Sequence, residues 1–251
     1  MRKVDFLIIG AARSGTSSLH YILRNHKKVY LPEEPPEPNF FFKDREYKKG
    51  VNYYIDRYFK DELSKEIIGE KSTSYFYLSH KVAKRIYDYN PDIKLLLVLR
   101  NPAYRAISNY FFSVKNGIEK EDMLHALENE SSRSKKYDSY WKDIRPYDYI
   151  GRSRYFTELS KYYNYFNKEQ INITIFEDMC SNPLFEINKV CNFLGVTEFE
   201  KIEFAHLNKN IYDSRNITSS LKFLKEKLYE EVFNLSELIG VDLIEKWSFE
   251  R

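Results

Sequence analysis

Short apolar runs alternate along the chain with longer stretches in which apolar residues recur every three or four positions. Phe6-Leu7-Ile8-Ile9 is continuous and stops at Gly10, the pattern of a strand buried on both faces of a parallel sheet. A helix is expected from Thr16, with Leu19, Ile22 and Leu23 as its buried stripe. Lys28-Val29-Tyr30-Leu31 and Ile67-Ile68-Gly69 read as further short strands, Ile93 to Leu99 is the most apolar strand, and Ile171 to Phe176 alternates as another. Glu33 to Pro38 holds three prolines, which excludes helix and central strand and makes a stiff loop.

The helical stretches have recognisable ends. Ser79 is the expected cap of a helix carrying Val82, Ala83, Ile86 and Tyr87, stopped by Asn90-Pro91. The next helix places Ala106, Ile107, Tyr110, Phe111 and Val114 on one face and ends near Asn116-Gly117. Helical pattern returns around Phe156, Leu159 and Tyr163, then from Pro183 to Leu194 with Gly195 beyond, and finally at Leu221, Leu224 and Leu228. Between Glu119 and Tyr149 apolar density falls, so a helix and a long irregular segment are expected. Segments of that kind serve as lids or binding walls, and residues 119–150 are read as a lid or acceptor-binding insertion within a single domain, residues 1–251. Strands alternating with helices predict an α/β fold in three layers, a central parallel sheet flanked by helices.

Composition narrows this picture. Hydrophobic residues make up 43% and charged residues 31%, as in a globular chain, and a net charge of +3 is too small to argue for nucleic acid. The 22 Tyr and 18 Phe read either as a stacking surface or as the mark of an AT-rich genome, and the second reading is the plainer. Cys180 and Cys191 are too few for a disulfide framework. Both are expected within one helix, as small core residues in a reducing compartment. The apolar run after Met1-Arg2-Lys3-Val4-Asp5 is too short for a signal peptide or a membrane span, so a cytoplasmic protein without an integral membrane segment is expected.

Two stretches carry chemistry. Gly10-Ala11-Ala12-Arg13-Ser14-Gly15-Thr16-Ser17 sits between a buried strand and a helix start, where free N–H groups and the helix dipole favour an anion. It is P-loop-like but lacks the Lys of a Walker motif; Thr16 stands there, and Arg13 supplies a cation three residues earlier. A plain glycine turn is the alternative. Arg100 stands at the carboxyl end of the central strand, where open sheets bind ligands, with Ser108 about two turns into the next helix. A guanidinium fork and a hydroxyl make a receptor for a second phosphate; an Arg capping a helix end is the alternative.

Here the chain resembles a family. Arg13-Ser14-Gly15-Thr16 after a strand is similar to the 5′-phosphosulfate loop of sulfotransferases that use PAPS, 3′-phosphoadenosine 5′-phosphosulfate. Arg100 and Ser108 fall in an Arg-x-Pro-x-x-Arg-x-x-Ser-x-Tyr frame that looks like the family's 3′-phosphate motif. Glu37-Pro38-Asn39-Phe40-Phe41 and Glu70-Lys71-Ser72-Thr73-Ser74-Tyr75-Phe76 are similar to segments of its heparan-sulfate-type members. Gly151 to Tyr155 and Ile173 to Leu194 fit more loosely, so the resemblance covers most of residues 4–195, nearest to the heparan-sulfate-type and bacterial carbohydrate enzymes. The chain departs in carrying Arg13 where the heparan-sulfate-type loop has Lys. It also lacks a Gly-Arg-x-His-Pro-like segment near its end, where Lys209 and Arg215 are the expected substitutes on the nucleotide.

The resemblance implies in-line transfer of a sulfuryl group from PAPS to an acceptor hydroxyl or amine, first of all on a carbohydrate, leaving PAP. Arg13, Ser14, Gly15, Thr16, Ser17, Arg100 and Ser108 would hold the nucleotide. Arg13 would also meet the charge developing on PAP, Glu37 would be the base, and Lys71 would touch the sulfonate or the acceptor. Without the resemblance, Glu37 reads as one of three solvated acids in a proline loop, with Glu33 and Glu34, and Lys71 as a surface lysine. No metal is expected, because the five histidines are scattered; His20 reads as a partly exposed helix residue, and His80 and His206 are weaker candidates for a base. Arg145, Tyr147 and Tyr149 are expected in the acceptor wall.

Two rival readings stand beside this one. A P-loop nucleotide kinase needs the missing Walker Lys and an acid for magnesium, a role for which Glu177-Asp178 is available. A non-catalytic nucleotide-binding protein of the same fold would be marked by loss of Glu37 and Lys71, and both are present.

Overall fold

A computed structural model of the chain describes residues 2–60, 65–134, 145–203 and 217–249, without the side chain of Ser134. The chain packs as two compact units, one formed by Met1–Arg100 and Glu158–Asn208, the other by Asn101–Thr157 and Lys209–Arg251.

The first unit holds the sheet. Its strands are β1 (Phe6–Gly10), β2 (Val29–Tyr30), β3 (Ile67–Lys71), β4 (Lys94–Leu99) and β5 (Ile171–Ile175). They pair in parallel in the order β2-β3-β1-β4-β5. All five residues of β1 are buried, as its unbroken apolar run predicts. Phe6 pairs with Gly69 of β3, and a Cβ at Gly69 would lie 2.3 Å from the Phe6 ring, so the glycine makes room for the aromatic. Phe6 and Ile8, with Leu96 and Val98 of β4, pack against helix Thr16–Arg24 through Leu19, Ile22 and Leu23. Helix Pro183–Leu194 adds Ile187, Val190 and Cys191 to the same core. The layered α/β architecture expected from the alternation is the one found.

Part of the aromatic surplus is core. Phe40 stacks on Tyr54 with ring centroids 4.4 Å apart, and Phe41 contacts Tyr54, Tyr75 and Tyr89 edge-on or tilted. Helix Gly50–Tyr58, which the sequence pattern does not announce, exists to bring Tyr54 and Ile55 into this cluster. Ser79 does not cap its helix: it is the first residue of Ser79–Tyr89, and its hydroxyl donates to Glu158 Oε2. Tyr87, expected in the buried stripe, is 40% exposed, and Tyr89 takes its place. The cysteines occupy two helices rather than one, Phe176–Ser181 and Pro183–Leu194, because Pro183 lacks the N–H needed to continue the first. Burial pushes both thiols up to about 11, so neither is a ready nucleophile.

The second unit is helical. Helix Pro102–Lys115 is capped by Asn101, whose side-chain oxygen accepts from Ala103 N at 3.1 Å and Tyr104 N at 3.3 Å. Val114, expected on its buried face, is exposed, and Ser113 is buried instead. Arg105 is fully buried and donates to Ser153 Oγ at 2.7 Å, to Asn109 Oδ1 at 3.2 Å and to the Tyr149 carbonyl. Glu130 accepts the amides of Tyr149, Ile150 and Gly151 at 2.8, 2.7 and 3.0 Å. The expected single helix after Glu119 is two short ones, Met123–Glu128 and Glu130–Ser134. Tyr149 is no acceptor wall: it is buried, with its hydroxyl on Glu119 Oε2 at 2.7 Å. Among the described residues no helix is long and apolar enough to cross a membrane.

Candidate active site

The sheet fixes where a site can form. From β1 the chain runs to β2 and β3 on one side and then to β4 and β5 on the other. At such a reversal the carboxyl ends of the two diverging strands open a crevice. Gly10 closes β1 there and Leu99 closes β4, so the two stretches picked out in the sequence begin side by side.

After β1, Ala11 N donates to the Val98 carbonyl at 2.8 Å and ties the loop to β4. Arg13 (φ 71°) and Gly15 (φ 92°) are both left-handed and curl the backbone ahead of helix Thr16–Arg24. Only glycine fits at position 15: a Cβ would lie 2.5 Å from the Phe176 ring. No side chain caps the helix, and no acid stands in its first turn. Ser14 is fully buried, and its hydroxyl has no hydrogen-bond partner among the described residues. A buried orphan hydroxyl is costly unless a ligand completes it, and an uncapped helix start free of acids suits an anion. Thr16 is buried, and Arg13 and Ser17 are half-buried.

Arg100 caps no helix end. Its Nη1 donates to the Arg13 carbonyl at 3.3 Å, and its guanidinium lies 5.1 Å from the centroid of the Phe176 ring. Phe176 thus meets both the loop glycine and the arginine, a role hidden in the sequence, where it reads as the last residue of a strand. Ser108 is buried on helix Pro102–Lys115, in the second unit.

Glu37 and Lys71 come together. Lys71, the last residue of β3, is buried, and its Nζ lies 3.1 Å from Glu37 Oε1. Thr73 completes the arrangement: its hydroxyl lies 3.2 and 3.1 Å from the two carboxylate oxygens, and its amide 3.4 Å from Oε2. Glu37 is therefore a held carboxylate, and Lys71 is not a surface lysine. Thr73 lies inside the segment Glu70 to Phe76, but nothing in the local pattern marks it as a carboxylate ligand. Lys209, Arg215 and His206 lie outside the described residues.

His20 departs from expectation. It is 8% exposed, with Nε2 3.2 Å from the Pro32 carbonyl. Burial, reinforced by the Lys71 charge, pushes its pKa down to about 4. A neutral imidazole with Nε2 bearing the proton anchors the start of the loop that carries Glu37. Stability from this residue is complete above pH 6.5 and is lost as pH falls towards 4, by roughly 3 kcal/mol, because the unfolded chain takes up a proton that the native site refuses. Glu130, raised by burial and the Asp148 charge, contributes the opposite sign as pH falls. The difference between proteins is therefore the measurement. His20→Gln is expected to lose less stability than the parent on acidification from pH 6.5 to 4, read by denaturant melts. Parallel curves for the two proteins would remove His20 from this account.

The geometry defines a P-loop-like α/β protein whose first unit carries both a loop with a buried, unpartnered serine hydroxyl and an ion-paired carboxylate. The sulfotransferase domain family matches residues 3–237, and the chain belongs to that family. It is 31% identical over 199 residues to heparan sulfate glucosamine 3-O-sulfotransferase 5 of Mus musculus, covering 76% of this chain and 53% of that one. It is 32% identical over 192 residues to heparan sulfate glucosamine 3-O-sulfotransferase 6 of Homo sapiens, covering 76% and 52%. The chain thus spans about half the length of the curated relatives it matches. Among solved structures, a sulfotransferase from Alicyclobacillus acidocaldarius matches with a TM-score of 0.78 and 26% identity, covering 99% of this chain and 100% of that one.

Proposed function

We propose that the chain transfers a sulfuryl group from PAPS to a hydroxyl or amine of a carbohydrate, with Glu37 as the base. The observation that carries this reading is the Glu37–Lys71 pair at 3.1 Å, held in the same unit as a loop with an unpartnered buried hydroxyl. The names of the two relatives, both heparan sulfate glucosamine enzymes, support the choice of acceptor.

PAPS supplies, when bound, a sulfuryl group on a labile phosphate anhydride. Ser14 and the uncapped amides of the helix Thr16–Arg24 suit its 5′-phosphosulfate, and the helix dipole favours the same charge. Arg100, with its fork braced on the loop, takes the 3′-phosphate, the group to which the sequence frame also assigns Ser108. Glu37 accepts the acceptor's proton as the new oxygen–sulfur or nitrogen–sulfur bond forms. The electron pair of the broken sulfur–oxygen bond leaves on PAP, whose charge Arg13 and the helix dipole meet. Lys71 lies close enough to Glu37 to neutralise the sulfonate at the moment the carboxylate takes up the proton.

Incubation with PAPS and heparan sulfate, without magnesium, is expected to release PAP in step with sulfate incorporation into the polysaccharide. Turnover of ATP with magnesium, and none of PAPS with any carbohydrate tried, would overturn the reading.

A further inference from the structure

Glu70 is fully buried at the carboxyl end of β3, yet no cation pairs with it among the described residues. Its charge is met by hydroxyls. Tyr54 OH donates to Oε2, while Ser72 Oγ and Tyr75 OH donate to Oε1 at 2.5 and 2.6 Å. A carboxylate only accepts, so all three protons must point at it. The oxygens of Ser72 and Tyr75 are thereby left to accept from elsewhere. They take backbone amides: Asn39 N donates to Ser72 Oγ at 2.9 Å, and Phe41 N to Tyr75 OH at 3.1 Å.

These two amides belong to the segment that carries Glu37. Asn39 itself is left-handed, with φ 58°, and its side-chain nitrogen donates to the Glu37 carbonyl at 3.0 Å. Ser72 N is in turn fixed on the Ile8 carbonyl of β1 at 3.0 Å, so the anchor is the sheet itself. The chain after Glu37 hangs from β3 through hydroxyls whose polarity one buried charge decides. Burial raises the Glu70 pKa, an effect that the three hydroxyls and the Asn39 amide reduce without reversing.

We propose that Glu70 is a positioning residue for Glu37: its ionised carboxylate orients Ser72 and Tyr75 so that they dock the Asn39 and Phe41 amides and set the Glu37 side chain against Lys71 and Thr73. The inference rests on the reading of Glu37 as the group that acts on the acceptor. Glu70→Gln keeps the shape but removes the charge: with its NH₂ at the Oε1 position a hydroxyl of Ser72 or Tyr75 must turn round and release its amide, and with it at Oε2 a neutral oxygen holds both hydroxyls more weakly. The isolated effect of one such loss is roughly tenfold in rate.

The test compares the parent, Glu37→Gln, Glu70→Gln and the double variant, with PAPS and heparan sulfate as substrates. Glu70→Gln is expected to lower kcat by roughly tenfold or more while the PAP dissociation constant, read by calorimetry, stays within about twofold. Amide hydrogen exchange at Asn39 and Phe41 should quicken. In the Glu37→Gln background the second substitution should cost no further turnover, because its effect passes through Glu37. Ser72→Ala removes the Asn39 anchor together with one of the three hydroxyls on Glu70, and should give the same signature in a protein whose carboxylate is intact. An unchanged kcat in both Glu70→Gln and Ser72→Ala overturns the inference, and so does a loss of the same factor with or without the Glu37 carboxylate. Failure of the underlying reading looks different: Glu37→Gln alone would then turn over like the parent.

Discussion

Glu37→Gln is expected to lower turnover by about two orders of magnitude or more, the usual scale for removing a general base. The amide matches the carboxylate in shape and can still accept from Thr73, so the proline loop keeps its path. What disappears is the charge opposite Lys71, 3.1 Å away in the parent, and the capacity to take a proton. PAP affinity should barely change, because the loop around Ser14 and Gly15 does not involve Glu37. Steady-state PAP release, with calorimetric PAP binding as the control, separates these effects. Lys71 is buried and loses its partner in this variant, so a lower melting temperature is expected alongside the lost turnover. Turnover equal to the parent with a competent acceptor would dismiss Glu37 as the base.

PAP is expected to stabilise the protein well beyond ADP at equal concentration, without magnesium. The two nucleotides differ by the 3′-phosphate, and a site built around that group is left with an unpaired cation when ADP binds. Ligand at a hundredfold its dissociation constant stabilises a native state by about 2.7 kcal/mol, readily seen in a melt. Arg100→Ala should erase most of the preference for PAP, and Ser108→Ala should reduce it less. The preference is the informative quantity, since Arg100 also braces the Arg13 carbonyl and stacks on Phe176, so its loss weakens both nucleotides through the loop. Greater stabilisation by ATP with magnesium would favour a kinase, and no shift with any nucleotide a non-catalytic scaffold.

The strands were readable because a doubly covered parallel strand must be apolar on both faces: β1 and β4 announce themselves as unbroken runs. The charged end of β3 was not read as strand, since Glu70 and Lys71 break the apolar pattern where the sheet edge turns chemical. Helix faces were less legible than helix positions. Tyr87 and Val114 are apolar enough to suit a stripe, but Tyr89 and Ser113 are what the neighbouring elements cover. In the site, the loop and Arg100 carried local signals of spacing and context. The partnership of Glu37 with Lys71 and Thr73 did not, because it joins segments distant in sequence that only the fold brings together. His20 shows the same limit: its ring is buried by the carbonyl of Pro32, which no helical periodicity encodes.

The central place of β1 also has a temporal meaning. It precedes the other four strands of the sheet in the chain, yet Phe6 pairs with Gly69 on one side and with Lys94 on the other. A nascent chain therefore carries an apolar strand with both edges open until two distant partners have been made, the kind of exposure that invites mispairing. Long separations of this sort slow the closing of a sheet. The loop that follows inherits the delay, because Ala11 N is fixed on the Val98 carbonyl of β4. A ribosome-bound fragment ending before that strand has every residue of the loop but lacks the carbonyl that ties it to the sheet. The loop after β1 is thus completed only once β4 has joined the sheet, although its own residues come well before that strand in the chain.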